Sequence, residues 1–348
     1  MPEAPDPEHV DLESLAAWMD GQGLGGGPIA DAELLAGGTQ NVLVRFTRGG
    51  RTFVLRRPPP HLRKNSNETM RREARVLAAI GGTDVPHPRF IAGCPEEDVI
   101  GASFYLMEPV EGVNITQGLT DFHASSPDVR RAMGFSLVDG AASLGAVDHL
   151  AVGLEGFGRP EGYLERQVAR WRSQLEGYSE LEGYPGPEIP GLEEVAAWLE
   201  ENRPGSFTPG ILHGDYHLAN VMYRRDAPDL AAIVDWELCT IGDPLLDLGW
   251  LLATWPDPGA PSAASVGMGI QPWDGFPKAE ELVERYAART TRDMSSIAWY
   301  EVLACYKLGI ILEGTHARAC AGKAPKPTGD VLHATTVALF ERALRRIG

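Results

Sequence analysis

Residues 211–223 read ILHGDYHLANVMY, and this stretch decides how the rest of the chain is interpreted. Between two apolar flanks it places His213, Asp215, His217 and Asn220 within eight residues. Side chains of these types could ligate a metal ion, form a hydrolase site, belong to a catalytic loop of another kind, or line an ordinary polar loop. The rest of the sequence has to distinguish these four possibilities.

The two histidines do not complete a zinc motif. His213 and His217 are four residues apart, as in helical zinc sites, but the glutamate of H-E-x-x-H is missing and no third ligand follows nearby. The stretch also reads H-x-D-x-x-x-x-N, with Asp215 five residues before Asn220. That spacing is typical of the protein-kinase catalytic loop, in which the aspartate accepts the proton of the substrate hydroxyl and the asparagine binds Mg²⁺.

Three further residues lie where a kinase-like site requires them. Asp235 follows Asn220 by fifteen residues, at the end of the apolar run in IVDWE, where a kinase has its principal Mg²⁺ carboxylate. Arg56 ends the β-prone run FVLR, in the place of the phosphate-pairing lysine. Glu73 points from the apolar face of the next predicted helix, and a buried carboxylate there needs a partner.

The segment AGGTQN, residues 36–41, lies between the first two predicted strands. Backbone N–H groups in such a turn can cradle anionic oxygens, so we expect it to cover phosphates. This turn, the paired catalytic-loop residues, the later carboxylate, and the basic and acidic pair occur in the order that a kinase-like site needs. Each feature alone could be structural, but together they are hard to obtain by chance.

Composition sets the broad class and excludes some partners. The chain has 348 residues, 43% hydrophobic and 23% charged, as in globular proteins, and is long enough for two cores. A net charge of −17 argues against nucleic-acid binding, because a polyanion needs a basic face. No apolar run is long enough to cross a bilayer, and four scattered cysteines fit reduced thiols. We therefore expect a cytoplasmic protein without a membrane partner; the oligomeric state cannot be inferred.

Predicted elements divide the chain into two parts. Gly-Gly within 48–51 predicts a hairpin turn between two strands, and residues 67–80 predict a helix. Helical patterns dominate the later sequence, apart from a predicted hairpin of two short strands and a Pro-, Gly- and Ser-rich loop at 256–277, a possible lid. We predict an α+β fold with an N-terminal nucleotide-binding lobe at 1–109 and a larger, mainly helical lobe at 110–348 with the catalytic loop and substrate site.

These motifs resemble the aminoglycoside phosphotransferase and choline kinase family, which shares the two-lobe protein-kinase-like fold. The resemblance rests on HGDYHLANVMY, IVDWELCTIGDPLLDLGW and the series FVLRRPPP, REARVLAAI and FYLMEPVEG, and it spans about residues 30–320. Within the family, LRRPPP, LERQVARWRSQ and YKLGIILEGTHARA are most similar to kinase-like domains related to those fused to some acyl-CoA dehydrogenases. The fold that the resemblance implies has an antiparallel sheet plus helix in its first lobe.

The resemblance also implies a role for each matching residue. Asp215 would be the catalytic base or would orient the acceptor hydroxyl. Asn220 and Asp235 would hold Mg²⁺ against the β- and γ-oxygens of ATP. Arg56 would pair with the α- and β-phosphates and be steadied by Glu73.

The remaining nucleotide contacts that the resemblance implies come from two segments. Gly38, Thr39 and Gln40 would cover the phosphates. The backbone at Glu108 and Val110, in the hinge, would hydrogen-bond the adenine edge. The cofactors implied are thus ATP and Mg²⁺.

Some residues depart from the protein-kinase pattern or allow two interpretations. Arg56 keeps the charge of the expected lysine but is a planar fork, so its geometry must differ. His217 could contact the transferred phosphate or pack within the loop, and His213 is expected to brace that loop. Asp247, at the start of the apolar helix DLGWLL, is expected to cap that helix and anchor the catalytic loop.

The sequence therefore predicts an ATP- and Mg²⁺-dependent phosphotransferase that acts on a hydroxyl of a small molecule. The alternative is a nucleotide-binding pseudokinase, a scaffold without turnover. An aminoglycoside, a choline-like amine and a hydroxyacyl-CoA remain open as acceptors. The last would need a basic grip, for which Arg166, Arg170 and Arg172 are candidates, although a solvated helix face also explains them.

Overall fold

The N-terminal part of the molecule is built on an antiparallel sheet of five strands in the order β1-β2-β3-β5-β4. The computed structural model describes residues 10–35, 41–256 and 270–348. The strands of this sheet are β1 Ala30–Leu34, β2 Val42–Arg48, β3 Arg51–Arg57, β4 Phe90–Cys94 and β5 Phe104–Met107.

The β2–β3 hairpin predicted from the Gly-Gly pair is confirmed. Gly49 and Gly50 form its turn with φ angles of 57° and 77°, which residues with a side chain rarely adopt. Every β2 residue from Val42 to Arg48 pairs with a β3 residue without a shift of register. This regular pairing fixes the position of Arg56 near the end of β3.

Two helices, α1 (Leu12–Gly21) and α2 (Ser66–Ile80), pack beside this sheet. The predicted helix at 67–80 is confirmed as α2. Its buried residues recur at spacings of three and four, so one face of the helix is turned to the core. Glu73 lies on that face with only 1% of its surface exposed, as the sequence indicated.

The C-terminal part is mainly helical. Its helices are α3 Asp121–Ala124, α4 Pro127–Ala146, α5 Gln167–Gly177, α6 Leu192–Glu201, α7 Leu245–Thr254, α8 Ala279–Ala287, α9 Ile297–Cys320 and α10 Lys326–Ile347. Glycines allow the longest of them to approach closely. A Cβ on Gly309 would lie 2.7 Å from the Phe340 ring of α10, and one on Gly249 of α7 would lie 2.5 Å from the Tyr300 carbonyl oxygen of α9. Helix α9 is thus packed directly against both α7 and α10.

Two small antiparallel pairs position the segments that carry the candidate site. Strands β7 (Val221–Tyr223) and β8 (Leu230–Ile233) form the predicted short hairpin, which is confirmed. Strands β6 (Gly210–Leu212) and β9 (Thr240–Gly242) pair next to it. The HGDYHLAN segment therefore runs from β6 to β7, and the DWE segment runs from β8 to β9.

Arginines of α2 connect the first lobe to the second. The Arg72 guanidinium donates to the carbonyl oxygens of Phe157 at 2.9 Å and Cys239 at 3.1 Å, and it lies 4.3 Å from the centre of the Phe157 ring. One turn further, Arg75 donates to the Glu155 carbonyl at 2.8 Å. The helix that carries the buried carboxylate is therefore attached to both lobes.

The Pro-, Gly- and Ser-rich stretch at 256–277 is described in part, since residues 257–269 lie outside the described ranges. Near its end, the Trp273 and Phe276 rings stack with centroids 4.3 Å apart. The ring of Trp255 meets both edge-on, at 5.2 and 6.1 Å. This end of the stretch is thus packed into the helical lobe.

The predicted α+β class with a kinase-like two-lobe arrangement is confirmed. The proposed boundary between residues 109 and 110 falls after β5, ahead of the short 3-10 turn Ile115–Gln117, and it stays a prediction. Among the described helices, none combines the length and apolar character needed to span a membrane.

Candidate active site

The segment between β6 and β7 has a fixed backbone. Gly214 has a φ of 87°, and a Cβ there would lie 2.6 Å from the Leu238 carbonyl oxygen, so a residue with a side chain would be strained. His213 is fully buried, donates from Nε2 to the Val234 carbonyl at 2.9 Å and packs edge-on against Trp236. Burial lowers the pKa of His213, which disfavours its charged form and suits the expected bracing role.

Asp247 anchors this segment from beneath. Its carboxylate accepts hydrogen bonds from the N–H groups of His213 at 2.6 Å and Gly214 at 2.8 Å. Burial raises the pKa of Asp247 to about 7, against the lowering effect of these two donors. The expected anchoring is present, but the expected capping is wrong: α7 begins at Leu245, whose N–H is accepted by Asp243 at 3.1 Å. Asp247 lies inside the first turn of α7, and its two oxygens accept from the loop instead of capping the helix.

Asp215 is held by the amide of Asn220. The Asn220 Nδ2 donates to the carbonyl oxygen and to Oδ2 of Asp215, both at 2.9 Å. His217 approaches the other carboxylate oxygen, with Nε2 3.3 Å from Oδ1. Because His217 Nδ1 accepts from the Ala219 N–H at 3.2 Å, the proton of the neutral ring is on Nε2, facing Asp215. Of the two roles considered for His217, this contact supports packing within the loop.

The charge of Asp215 is stabilised by its neighbours. Burial alone would raise its pKa, but the hydrogen bond from His217 and the electrostatic effects of His217, His213 and Lys307 together outweigh burial and lower the pKa to about 2. The side chain is 30% exposed, so a substrate can reach it. The site therefore presents an ionised carboxylate that can accept a hydrogen bond from a hydroxyl group.

The DWE segment crosses the same loop. The Val234 N–H donates to the Asn220 carbonyl at 2.9 Å, so Asp235, the next residue, begins beside Asn220. Asp235 has a left-handed backbone, φ 66° and ψ 65°, a conformation that Asp tolerates better than most residues and that is common at functional sites. Its carboxylate is 42% exposed, so it can accept a further ligand.

Arg56 lies between two carboxylates from different lobes. Its Nη2 donates to Asp235 Oδ1 at 2.8 Å and to Glu73 Oε1 at 3.3 Å. Its Nε is 2.8 Å from Glu73 Oε2 without the alignment of a hydrogen bond. The Tyr105 hydroxyl donates to Glu73 Oε2 at 2.9 Å. Burial opposes the charge of Arg56, but Glu73, Tyr105 and Asp235 together outweigh burial and raise the pKa of the guanidinium. The expected Arg56–Glu73 pair is present, and the contact with Asp235 adds a link across the cleft.

The hinge residues lie apart from this cluster. The Glu108 N–H donates to the Arg89 carbonyl at 2.8 Å, and the Glu108 carboxylate pairs with Arg51 at 3.0 Å. Glu108 and Val110 line a groove of about 310 Å³. Of the two backbone groups of Glu108, the carbonyl is thus the one that can meet a nucleotide base.

The structure therefore brings some of the predicted site residues together and leaves others apart or undescribed. Two groups meet where the HGDYHLAN and DWE segments cross: Asp215, His217 and Asn220 on one side, and Arg56, Glu73 and Asp235 on the other. The predicted phosphate-covering residues lie outside the described residues; they are Gly38, Thr39 and Gln40.

A cavity of about 650 Å³ opens beside the HGDYHLAN segment in the helical lobe. Its volume is that of a small-molecule site. Aromatic and charged side chains contribute to its wall together with Asp215: Tyr163, Arg170, Trp171, Glu237, Trp250 and Lys307. The wall comes from α5, α7 and α9 and from the loop after Asp235.

Lys307 lines this cavity, and it was not among the residues predicted from the sequence. Its Nζ donates to the Gly214 carbonyl at 3.1 Å and lies 4.2 Å from the Trp250 ring centre and 5.5 Å from that of Trp171. Burial lowers the pKa of Lys307 to about 8, although Asp215 and other carboxylates act in the opposite direction. The sequence does carry a signal for this residue. Lys307 is a single cation in the apolar run LACYKLGIIL, just as Glu73 is a carboxylate on the apolar face of α2.

The three arginines considered for an acceptor grip have different surroundings. Arg166 donates to the Glu161 carbonyl, and Arg172 pairs with Glu193, so both have local partners. Arg170 lines the cavity beside Trp171. Of the three, Arg170 is the one placed to meet a substrate there.

Comparison with known proteins assigns the chain to a family. The model of the family described as "Phosphotransferase enzyme family" matches residues 31–299. The chain belongs to this phosphotransferase family. Acyl-CoA dehydrogenase family member 11 of Rattus norvegicus is 31% identical over 326 residues, which are 91% of this chain and 41% of that protein. The chain thus spans about two-fifths of the length of this curated relative.

Solved structures of other phosphotransferases share the fold. A Ralstonia eutropha protein, described as a candidate aminoglycoside phosphotransferase, is 29% identical with a TM-score of 0.81, covering 97% of this chain and 99% of that one. The GDP complex of aminoglycoside 2'-phosphotransferase-IIIa is 15% identical with a TM-score of 0.61, covering 97% and 100%. A mutant of APH(4)-Ia with AMP-PNP and hygromycin B is 14% identical with a TM-score of 0.54, covering 92% and 98%. The last two similarities establish the fold alone.

Proposed function

We propose that this phosphotransferase moves the γ-phosphate of ATP to a hydroxyl group of a small molecule, with Mg²⁺ as cofactor. The observation that carries the proposal is one connected arrangement: Asn220 holds Asp215, and the adjoining segment pairs Asp235 with Arg56. Phosphoryl transfer needs in-line positioning and charge neutralisation more than covalent chemistry. The arrangement offers an ionised carboxylate, oxygen ligands and a buried cation within one cleft.

The residues proposed to hold Mg²⁺ have suitable donor atoms. Because Asn220 Nδ2 faces Asp215, its Oδ1 is directed away from that carboxylate. Asp235 uses Oδ1 for Arg56 and has a second oxygen on a partly exposed carboxylate. Amide and carboxylate oxygens are the hard ligands that Mg²⁺ prefers. When bound, the ion would neutralise charge on the β- and γ-phosphate oxygens.

The nucleotide is proposed to lie between the hinge and the buried guanidinium. Gly38, Thr39 and Gln40 would cover its phosphates. The Glu108 carbonyl would accept a hydrogen bond from the amino group of adenine, with the Val110 N–H as donor to the ring. Guanine carries a carbonyl where adenine has its amino group, so we propose a preference for ATP. The relatives bound to AMP-PNP and to GDP support a purine nucleotide at this place.

Asp215 is proposed to orient the acceptor hydroxyl for in-line attack. Its pKa of about 2 makes it a weak proton acceptor in the ground state. A hydroxyl group becomes acidic only as its bond to phosphorus forms, so the carboxylate can take the proton late in the reaction. Its main effect is therefore expected on positioning and on transition-state charge.

The aromatic faces of the cavity favour a hydroxyacyl-CoA over a choline-like acceptor. Lys307 already lies against Trp250 and Trp171, the aromatic faces that a choline-like ammonium would need. Arg170 adds a second positive charge to the wall. With Lys307 against these rings, a choline-like ammonium has no free aromatic face there, and Lys307 and Arg170 can pair with the anionic groups of a hydroxyacyl-CoA. The wall also carries Asp215 and Glu237, so an aminoglycoside remains an acceptor class for the screen to test. The acyl-CoA dehydrogenase name of the curated relative supports the same acceptor class.

A phosphate-transfer screen tests the proposal. Wild-type protein, Asp215→Ala and the matched control Asp226→Ala, at an exposed aspartate in the β7–β8 turn, are mixed with ATP, Mg²⁺ and four acceptor groups. The groups are hydroxyacyl-CoA thioesters, aminoglycosides, choline-like amines and sugars, and products are detected by mass. We expect one phosphate added to a hydroxyacyl-CoA by wild type and control, and at least about a hundredfold less by Asp215→Ala.

Two other outcomes would redirect the proposal. Transfer to another acceptor group would keep the reaction and replace the acceptor class. Tight nucleotide binding with no product from any group, equal in all three proteins, would contradict catalysis and leave the scaffold alternative.

A further inference from the structure

A second cluster of metal-binding side chains lies where α9 meets α10. Glu313 and His316 are three residues apart on one face of α9, and His333 faces them from α10. One donor atom from each of the three lies within 4.8 Å of the others. We propose that this cluster is a binding site for a divalent transition metal of the Zn²⁺ type, distinct from the Mg²⁺ site proposed in the cleft.

The cluster has a buried and constrained base. Glu313 is fully buried, and its two oxygens accept from the Tyr184 hydroxyl at 2.7 Å and from His333 Nδ1 at 2.8 Å. Glycine at position 329 allows α10 to approach, because a Cβ there would lie 3.7 Å from His316 Nδ1 and 2.4 Å from the Ala319 Cβ. Three chain segments therefore meet at one carboxylate.

One donor in this cluster lacks a partner. Within the part of the chain that the structure describes, the buried Nδ1 of His316 has no hydrogen-bond partner. An unsatisfied buried nitrogen is destabilising, and a metal bond would satisfy it. The other ring nitrogen, Nε2, lies 3.6 Å from the thiol of Cys320, one turn further along α9. A metal ion bound to Nδ1 would therefore leave Cys320 on the opposite edge of the ring, and water would complete its coordination.

The types of donor atom in the cluster indicate which metal ion it should bind. One carboxylate and two imidazoles match the oxygen and nitrogen ligands of zinc, with water in the fourth position. Mg²⁺ and Ca²⁺ prefer oxygen ligands, so they are not expected to bind here. Binding would release the protons of the ligating groups to solvent.

One side chain must turn to bind the ion. The rings of His316 and His333 are stacked with centroids 4.5 Å apart and planes at 28°. Because a metal lies in the plane of each imidazole that binds it, two nearly parallel rings cannot share one ion. His333 is 24% exposed and its second side-chain torsion is soft, so its ring can rotate out of the stack.

The site would reinforce the wall of the acceptor cavity. Ile311, which lines that cavity, is two residues from Glu313, and Lys307 is six residues away, about 9 Å along the helix. An ion joining α9 to α10 would hold this part of α9 in place. We therefore expect metal binding to raise the thermal unfolding temperature whether or not the protein transfers phosphate.

Metal titration of the full chain tests the site. The protein is stripped with a chelator and titrated with CoCl2, which reports coordination by its visible spectrum, and with ZnCl2 by calorimetry. We expect one equivalent of tight binding, with His316→Gln and His333→Gln at least about a hundredfold weaker and His61→Gln, at an exposed histidine, unchanged. Cys320→Ser should bind the metal as wild type does, because the thiol faces the other edge of the His316 ring.

The active-site variant Asp235→Asn separates this site from the cleft. It should bind Zn²⁺ as wild type does and lose only Mg²⁺-dependent properties. No stoichiometric binding, or equal binding in His316→Gln, His333→Gln and wild type, would overturn the proposal. Binding abolished by Asp235→Asn but kept in both histidine variants would place the metal in the cleft instead. The circular dichroism spectrum and the unfolding temperature of each metal-free variant show that it is folded.

Discussion

The two sides of the candidate cleft are held together by different kinds of interaction. On the acceptor side, Asp247 holds the catalytic loop through two backbone N–H groups, and His213 ties the loop to the next segment through a backbone carbonyl. On the nucleotide side, Arg56 joins Glu73 and Asp235, and these contacts are between side chains of two lobes. One side is therefore anchored to the backbone of a single lobe, whereas the other depends on ion pairs that span the cleft.

This difference indicates which parts can rearrange during a reaction cycle. Backbone hydrogen bonds to a buried carboxylate fix a loop in one conformation. Ion pairs between lobes can exchange partners when phosphates and a cation enter, because the same guanidinium and carboxylate then have new counter-charges. We expect the acceptor side to be preorganised and the nucleotide side to change its pairing upon binding.

The largest expected effect comes from the charge that the anchored loop presents. Asp215→Asn keeps the shape of the side chain but removes the ionised acceptor, so kcat should fall by roughly 10²–10⁴-fold. The unfolding temperature should stay near that of wild type, because the loop is anchored elsewhere. Steady-state kinetics and thermal unfolding measure the two quantities. A large loss of stability instead would mean that Asp215 is itself part of the anchor.

The next effect concerns the anchor. Asp247→Ala leaves the N–H groups of His213 and Gly214 buried without an acceptor, which should cost roughly 2–5 kcal/mol of unfolding free energy. Urea unfolding measures this loss, and Asp226→Ala, at an exposed aspartate, is the control. If Asp247→Ala were as stable as that control, the catalytic loop would not depend on its backbone bonds.

A double-mutant cycle compares the two sides directly. Glu73→Gln should lower the free energy of unfolding by about 1–3 kcal/mol. The loss is limited because Arg56 keeps its contact with Asp235. In the double mutant with Asp235→Asn, the loss of unfolding free energy should differ from the sum of the two single losses by at least about 0.5 kcal/mol. The reason is that both carboxylates pair with the same guanidinium. Combined with Asp247→Asn, the losses should add. Additivity in both cycles would contradict an ion-pair network across the cleft.

The smallest predicted effect is a pH dependence in the acceptor cavity. The folded-state pKa of Lys307 is lowered to about 8, so the amine is charged below pH 8 and loses its charge above it. The KM for an anionic acceptor should therefore rise as pH increases through 8. Lys307→Met should raise KM about tenfold at pH 7 and abolish this dependence, while Lys307→Arg should keep a low KM at high pH. A KM for wild type that is constant from pH 7 to 9 would remove Lys307 from acceptor binding.

The parts of the site that sequence could predict are those set by local pattern. The turn at Gly49 and Gly50, the inward position of Glu73 and the spacing of Asp215 and Asn220 follow from local periodicity and motif. The family resemblance then related these features to one another. Together they were sufficient to predict the two-lobe fold and the pairs Asp215–Asn220 and Arg56–Glu73.

The remaining features depend on contacts between distant parts of the chain. Arg56 meets Asp235 across 179 positions, and Lys307 meets Gly214 across 93, and no local spacing encodes either contact. Asp247 shows the limit of a local rule: its position predicted a helix cap, but the carboxylate satisfies loop N–H groups instead. A charge inside an apolar helical run, as at Lys307, is the sequence signal that could have indicated a buried site.

The most direct test of the account is the structure of the protein with Mg²⁺ and a non-hydrolysable ATP analogue. The account predicts one ion about 2.0–2.1 Å from both Asn220 Oδ1 and an Asp235 carboxylate oxygen, with the γ-phosphate facing Asp215. Arg56 should then contact phosphate oxygens while keeping Glu73. An analogue bound with its phosphates away from Asp215, or an ion that contacts neither Asn220 nor Asp235, would contradict the proposed active site.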